Sequence, residues 1–384
     1  MARIIVIGGG TAGSAAALAL HKAGSEVAVY EAHPDSAEDI GAFLTLASNG
    51  MRALAQLDAS AAVTGIGFPL TGMRVLDGSG TELVKRPLAG ADDELLRFRC
   101  LRRGELNAAL QAEAARRGIG IRHGARLASV EEGPGDVTVR FTDGSTATGD
   151  LLIGADGLNS TVRRAIAPAA RPGYAGEYVF YGYTTGAPIA GPSELFTLVR
   201  GSGAAFGHAV SPAGETYWFA RVTGDPLSAE DIAQGTPEGW RDLLVPLLRK
   251  DTTPAADMVA ATADSILVTN ATEMPLGTSW RSGRALLIGD AAHAASPATG
   301  QGASMALEDA VVLAKALRDA PDTDSALTAY DRLRRPRVEH NIATSGQISR
   351  GAHSPTNARP GTTTPPLSDE DLARQLDWNT DLFA

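Results

Sequence analysis

The chain opens on the feature that most restricts its fold. A β-branched run, Arg3–Ile7, breaks into Gly8-Gly9-Gly10-Thr11-Ala12-Gly13; an Ala- and Leu-rich stretch over 12–23 follows, and a second apolar run over 26–32 carries Glu31 near its end. An apolar run without polar alternation reads as a parallel strand buried on both faces. The Ala/Leu stretch reads as a helix, so the segment is one βαβ unit. The G-x-G-x-x-G spacing has a mechanical meaning: Gly8 allows the tight turn, Gly10 lets the backbone approach a pyrophosphate, and Gly13 lets helix and strand pack closely. The helix N-terminus offers unpaired N–H groups to phosphate, and Glu31 stands where an acid holds an adenosine ribose hydroxyl. The pattern predicts dinucleotide binding. The bland alternative is a glycine-rich turn with no ligand, and the motif alone does not separate FAD from NAD. The same stretch has the basic residue, apolar run and small residues of a secretory leader, but glycines cut the run, and strand plus helix is the reading taken.

At 384 residues the chain is long for one core, which predicts one large domain with a smaller companion. A helix is expected from about Asn49, a hairpin over 73–86 turning at Asp77-Gly78, and a helix over 104–117 closed by Gly118. Three short strands over 127–148 turn at Pro134-Gly135 and Asp143-Gly144, and 150–157 reads as another buried parallel strand. Residues 174–222 alternate Tyr, Phe, Trp and Thr and predict an antiparallel sheet half buried on one face. Beyond it come a helix over 238–250 interrupted by Pro246, a buried strand within 284–293, an amphipathic helix over 302–318, another helix over 325–350, a Pro- and Thr-rich loop over 354–366, and a short docked helix within 368–384.

Net charge is −10, which argues against a nucleic-acid partner. Arginines cluster at 97–103 and 332–337, and most are expected on solvated helix faces. Cys100, alone of its type, excludes an internal disulfide and a thiolate metal cluster. It is read as a small half-buried residue rather than a nucleophile, in a reducing, cytoplasmic compartment. No stretch is long and apolar enough to span a bilayer, and no metal site is expected.

Two later motifs carry chemistry. In 154–166, Asp156-Gly157 ends a buried strand and Asn159 or Ser160 is available to cap the next helix. The alternative is an ordinary Asp-Gly turn with Arg163 a solvated helix residue. In 286–310, Asp290 follows an apolar strand, where its carboxylate is placed to accept hydrogen bonds from a sugar-alcohol chain. Gly300 and Gly302 bracket a turn into a long helix whose free N–H groups would stabilise negative charge on a reduced flavin ring. His293 is read as a packed loop histidine rather than a base.

These three motifs, in this order and at these separations, resemble the FAD-dependent aromatic hydroxylases, the group A flavoprotein monooxygenases of the para-hydroxybenzoate hydroxylase type. The similarity runs from residue 1 to about 345; the segment 101–110 also resembles the family's Arg-x-x-Leu stretch, and Ser304 departs from an Asn common among relatives. The resemblance implies a Rossmann-like α/β FAD-binding domain (1–72, 98–172 and 265–345), an inserted, mostly antiparallel substrate domain (73–97 and 173–264), and C-terminal helices with a linker (346–384). It implies non-covalent FAD held by Gly8, Gly10, Ala12, Gly13, Glu31, Arg103, Asp156, Asp290, Pro297, Gly300, Gln301 and Gly302, with Pro297, Gly300 and Gly302 beside the flavin. NADPH or NADH reduces the cofactor transiently, and O2 is the co-substrate.

The expected function is a monooxygenase that inserts one oxygen atom into an electron-rich aromatic or polycyclic small molecule through a flavin hydroperoxide, as in secondary metabolism. The cofactor carries the chemistry, so no protein catalytic residue is named. Tyr181, Tyr183, Phe206, His208 and Trp218 are candidate substrate liners, about half of which strand alternation turns the wrong way. Epoxidation and Baeyer–Villiger insertion share such a scaffold. A nicotinamide dehydrogenase and a non-catalytic FAD-binding protein are the more distant alternatives. The partner expected is a small molecule, without nucleic acid or membrane, in a monomer or homodimer.

Overall fold

The computed structural model describes residues 2–36, 41–186, 192–351 and 367–383, and among these the strands form four sheets. The opening β-branched run lies near the centre of a six-stranded sheet, in the order Arg281–Ser282, Ala285–Leu287, Leu151–Gly154, Arg3–Ile7, Glu26–Tyr30, Gly120–Arg122. The pairings are parallel except at the Arg281–Ser282 edge. Ile4 to Ile7 are all buried, as a strand covered on both faces requires. Three strands separated by more than a hundred residues each, ending at Ile7, Gly154 and Leu287, therefore deliver their carboxyl ends side by side. The crevice outside such strand ends is where α/β sheets place ligands.

The second large sheet has seven strands: Ile266–Glu273, Gly173–Thr184, Thr216–Thr223, Ala205–Val210, Leu195–Arg200, Gly72–Asp77 and Glu82–Pro87. It is antiparallel except where Leu195–Arg200 pairs with Gly72–Asp77. Its strands over 174–222 mostly alternate buried and part-exposed residues, so one face is the more deeply buried, as expected. Phe180, Phe206 and Trp218 pack on one side under the helices Pro237–Leu248 and Ala255–Ala260. Tyr181, Phe196 and Phe219 lie on the other side, which borders a cavity. The consecutive aromatics Tyr217, Trp218 and Phe219 serve both faces, because neighbouring strand residues point opposite ways.

Several local expectations are corrected. Pro246 lies inside the helix Pro237–Leu248 without interrupting it; two residues from the end, it removes only one late ladder bond. The helix Gly302–Asp319 is a central helix rather than an amphipathic one, buried continuously from Ser304 to Ala316. The helices Thr11–Lys22, Ser48–Gln56, Thr323–Ser349 and Asp369–Leu376 pack around it. Cys100 is fully rather than half buried, and burial pushes its thiol well up. Nor are the arginine clusters mainly solvated. Arg99 is buried on the strand Phe98–Arg102, and Arg334 is wholly enclosed. The Pro- and Thr-rich segment 354–366 lies outside the described residues.

Candidate active site

The first glycine turn is built by close approach. Gly8 has φ +102, and a Cβ there would stand 2.4 Å from the Ala155 carbonyl oxygen. At Gly13 a Cβ would fall 1.8 Å from the Gly8 oxygen, so helix and turn touch through the missing side chain. Gly10 is different: nothing lies within 4 Å of its would-be Cβ, and it borders a cavity of ≈ 430 Å³. Gly10 also starts the helix Thr11–Lys22, which has no side-chain cap and no acid in its first turn. Its leading N–H groups are therefore left for a ligand.

Glu31 borders the same cavity; it accepts from the Gly9 N–H at 2.5 Å and the His33 N–H at 2.7 Å. Those bonds hold the carboxylate and leave acceptor capacity for a hydroxyl. Gln111, not anticipated, braces the turn by donating to the Gly9 carbonyl at 2.7 Å. Asn107 and Arg126 also border the cavity unforeseen.

Asp156 is a local organiser. It accepts from Ser160 Oγ at 2.5 Å and from the Thr161 N–H at 2.6 Å, while Ser160 caps the helix Thr161–Ile166 by accepting from the Arg163 N–H at 2.8 Å. Arg163 is buried rather than solvated, donating to the carbonyls of Ala291, at 2.8 Å, and Leu158. It ties the second motif to the third.

The third motif rests on a buried ionic lattice. Asp309 accepts from the Gly289 N–H at 3.0 Å, lies 2.5 Å from His293 Nε2, and is 2.8 Å from Arg334 Nε. Burial works against its charge, but His293 and Arg334 hold its carboxyl down to about 2. Arg334 Nη1 reaches Glu308 at 2.6 Å. Glu308 accepts from Asn49 at 2.6 Å, and Asn49 donates in turn to Gln301 at 3.0 Å. One enclosed guanidinium thus braces both the turn presenting Asp290 and the turn opening the Gly302–Asp319 helix. His293 is a packed, paired residue in a single helical turn, Asp290–His293. A Glu-Asp pair flanked by apolar residues on both sides within the helix was the sequence signal for this lattice.

Asp290 borders the same cavity as Gly8, Gly10, Ala12, Glu31, Arg103 and Asp156. It also borders a second cavity of ≈ 390 Å³, as do Leu44, Arg103, Gly302 and Ala303. The two form one continuous groove. At the junction the Gly302–Asp319 helix begins without a side-chain cap or an acid in its first turn, and Gly302 has open space where a Cβ would stand. Pro297 and Gly300 border the second cavity. Gly13 and Gln301 border neither; they act from behind, Gly13 by packing and Gln301 through Asn49. Ser304, also behind the surface, accepts from the Ala47 N–H at 3.1 Å.

The second cavity is walled by the seven-stranded sheet. Tyr181 lines it, and burial pushes its phenol up to about 12. Tyr183 does not line it; it packs on Phe43 and Tyr217 under the Arg102 guanidinium, 4.4 Å away. Phe206, His208 and Trp218 do not line it. Phe206 pairs with Ala220 and His208 with Trp218 on the face under the helices, while Trp218 donates to Thr262 Oγ1 at 2.9 Å. The wall is instead Phe219, Phe196, Leu198, Val179 and Arg221, with Phe43 opposite. Aromatics occupy both phases of the strand Thr216–Thr223, so alternation alone could not choose.

A groove with two uncapped helix starts, a glycine turn open to one end and an aromatic chamber at the other fits an extended dinucleotide carrying a flat ring system. Among the described residues no group of three or more His, Cys, Asp or Glu is placed to hold a metal, and no helix is long and apolar enough to cross a membrane.

Comparison with known proteins agrees. The family profile described as FAD binding domain matches residues 1–345. The sequence is 31% identical to aurachin C monooxygenase/isomerase of Stigmatella aurantiaca, over 90% of this chain and 88% of the relative. It is 33% identical to FAD-dependent urate hydroxylase of Klebsiella pneumoniae, over 88% and 86%. The crystal structure of Klebsiella pneumoniae HpxO complexed with FAD and uric acid superposes with a TM-score of 0.81 at 30% identity, covering 92% of this chain and 90% of that one.

Proposed function

The chain belongs to the FAD-dependent aromatic hydroxylase family and is a flavoprotein monooxygenase; from that premise we propose that the groove holds FAD along its length and that the adjoining chamber takes an electron-rich aromatic or polycyclic molecule. The observation that carries this reading is the junction, where Arg103, Asp290 and Gly302 border both cavities. When bound, FAD accepts electrons from NAD(P)H and activates O2 so that one oxygen atom enters the substrate.

The chain's own residues bind, orient and keep water out. Gly10 and Ala12 present uncapped amides to the pyrophosphate, Gly8 and Gly13 make the close turn that places them, and Arg103 is the counter-charge. Glu31 takes the adenosine ribose, Asp156 shapes the strand end beneath it, and Asp290 accepts from the sugar-alcohol hydroxyls. Pro297, Gly300 and Gly302 form the ring's edge, with Gln301 held behind them by Asn49, and the start of the Gly302–Asp319 helix stabilises negative charge there. Tyr181, Phe196, Phe219 and Phe43 enclose the substrate ring in apolar surface and exclude water. In this reading segments 1–72, 98–172 and 265–345 form the FAD-binding unit and 73–97 with 173–264 the substrate unit.

The test has three parts. Purified protein retains FAD and is yellow. Asp290→Ala lowers FAD affinity by about tenfold or more, the loss of one charge-assisted hydrogen bond. A panel of aromatic and polycyclic compounds is screened for NAD(P)H consumption with oxygen uptake, and a product heavier by one oxygen atom is the expected result. A colourless protein that cannot be reconstituted with FAD defeats the proposal.

A further inference from the structure

The apolar chamber contains a charge that its flavin-binding role does not use. Among its described lining residues the charged side chains are Arg103, Asp290 and Arg221. The first two stand at the junction with the groove; Arg221 stands in the sheet wall. Its side chain is 9% exposed, and its Nε is buried with no hydrogen-bond partner. A buried guanidinium with an unmet donor is costly, because each N–H taken from water needs an acceptor.

Its carboxylate partner does not meet the need. Arg221 Nη1 is 3.4 Å from Glu177 Oε1, and that oxygen already accepts from Ser349 Oγ at 2.8 Å and from Ser296 Oγ at 3.3 Å. Three donors converge on one oxygen, and the guanidinium has the longest contact. Glu177 is itself 5% exposed and anchored by both serines, so it holds Arg221 in place without saturating it.

Register fixes which face of the sheet Arg221 stands on. Val179 pairs with Arg221 and Tyr181 with Phe219, all four on the chamber face. Arg221 therefore stands two residues along the strand from the Tyr181–Phe219 pair, at the edge of an aromatic platform. A flat ring resting on that platform would direct a substituent towards the guanidinium. In an apolar, water-poor chamber the charge–charge attraction is far stronger than in water, so an anionic oxygen is favoured over a neutral one.

The geometry points to Arg221 as a specificity-determining residue of the chamber, accepting substrates whose aromatic ring carries an anionic oxygen such as a carboxylate or ionised hydroxyl. This rests on the monooxygenase reading for the identity of the chamber. No electron or atom passes through Arg221; it pairs with a group remote from the oxygenated carbon.

The experiment uses matched probes: salicylate with salicylamide, and naphthoate with naphthamide. Binding to the full chain is measured by calorimetry, with and without added FAD. In the unaltered protein at least one acid binds about tenfold or more tighter than its amide, a difference of about 1.4 kcal/mol. Arg221→Met brings acid and amide to within about threefold, with the melting temperature and FAD content recorded for each variant. Arg221→Lys keeps a reduced acid preference, because a point charge replaces the planar fork; this variant carries the test if the methionine variant does not fold. Equal binding of acid and amide, no binding by either acid, or a preference that survives in a folded Arg221→Met protein overturns the inference. Loss of FAD retention instead counts against the monooxygenase reading, so the two failures are distinguishable.

Discussion

Gly10 and Gly13 lie three residues apart in one motif, and a methyl group would act on them in opposite ways. At Gly13 it would stand 1.8 Å from the Gly8 oxygen, so the helix must part from the turn. Gly13→Ala is expected to cost about 3 kcal/mol or more in urea denaturation, at the upper end of overpacking. At Gly10 it would meet nothing within 4 Å, and the backbone φ of −72 suits any residue. Gly10→Ala is therefore expected to change stability by no more than about 0.5 kcal/mol while weakening FAD binding by about tenfold. Melting curves paired with flavin titration check both, and equal destabilisation by the two variants would contradict the packing argument.

Among the elements, the helices Gly302–Asp319 and Thr323–Ser349 are joined by a buried charge cluster rather than by apolar packing alone. Arg334 bonds to Glu308 and Asp309, and Arg337 adds two further contacts to Glu308, each at 2.8 Å. Removing one partner of such a cluster leaves uncompensated buried charge, so Arg334→Met is expected to cost about 3–5 kcal/mol at neutral pH. The pH dependence has a definite sign. Asp309 titrates at about 2 in the folded chain against an ordinary 3.8, so its stabilisation is present above the ordinary value and is lost as pH falls from about 4 towards 2. The deficit of Arg334→Met should shrink over the same window, as protonation removes the charge left unpaired. Urea unfolding at several pH values measures this, and a deficit independent of pH would assign the loss to packing instead.

For the whole molecule, the last described segment, 367–383, closes the core from outside. Leu372 and Leu376 are buried, and Lys315 donates to the carbonyls of Gln375, at 2.9 Å, and Asp377. Trp378 donates its backbone N–H to Gln56 at 2.8 Å and lies under the Lys22 and Arg318 cations. The segment thus touches three helices, two of which line the groove. Leu376→Ala is expected to cost about 2–5 kcal/mol, as for a fully buried leucine, in one cooperative transition. A separate early transition confined to the C-terminus would show instead that the segment is an independent appendage.

The sequence by itself determined the βαβ start, the parallel strands, the position of each glycine turn and the resemblance to flavin hydroxylases, because these depend on local periodicity and on spacing along the chain. Resemblance, and no spacing along the chain, put Gly10 and Asp290 on one FAD; that they border one cavity is a matter of how the strands assemble. Only the tertiary structure decided that, since the meeting of strand ends at Ile7, Gly154 and Leu287 is set by sheet order and not by distance in sequence. Tertiary structure likewise chose Phe219 over Trp218 for the chamber wall, because a strand apolar in both phases carries no record of which side a helix will cover. It also enclosed Arg334, whose burial is possible only once Glu308 and Asp309 arrive from another helix to neutralise it. Charge pairing across elements is a property of packing, and no window along the chain contains it.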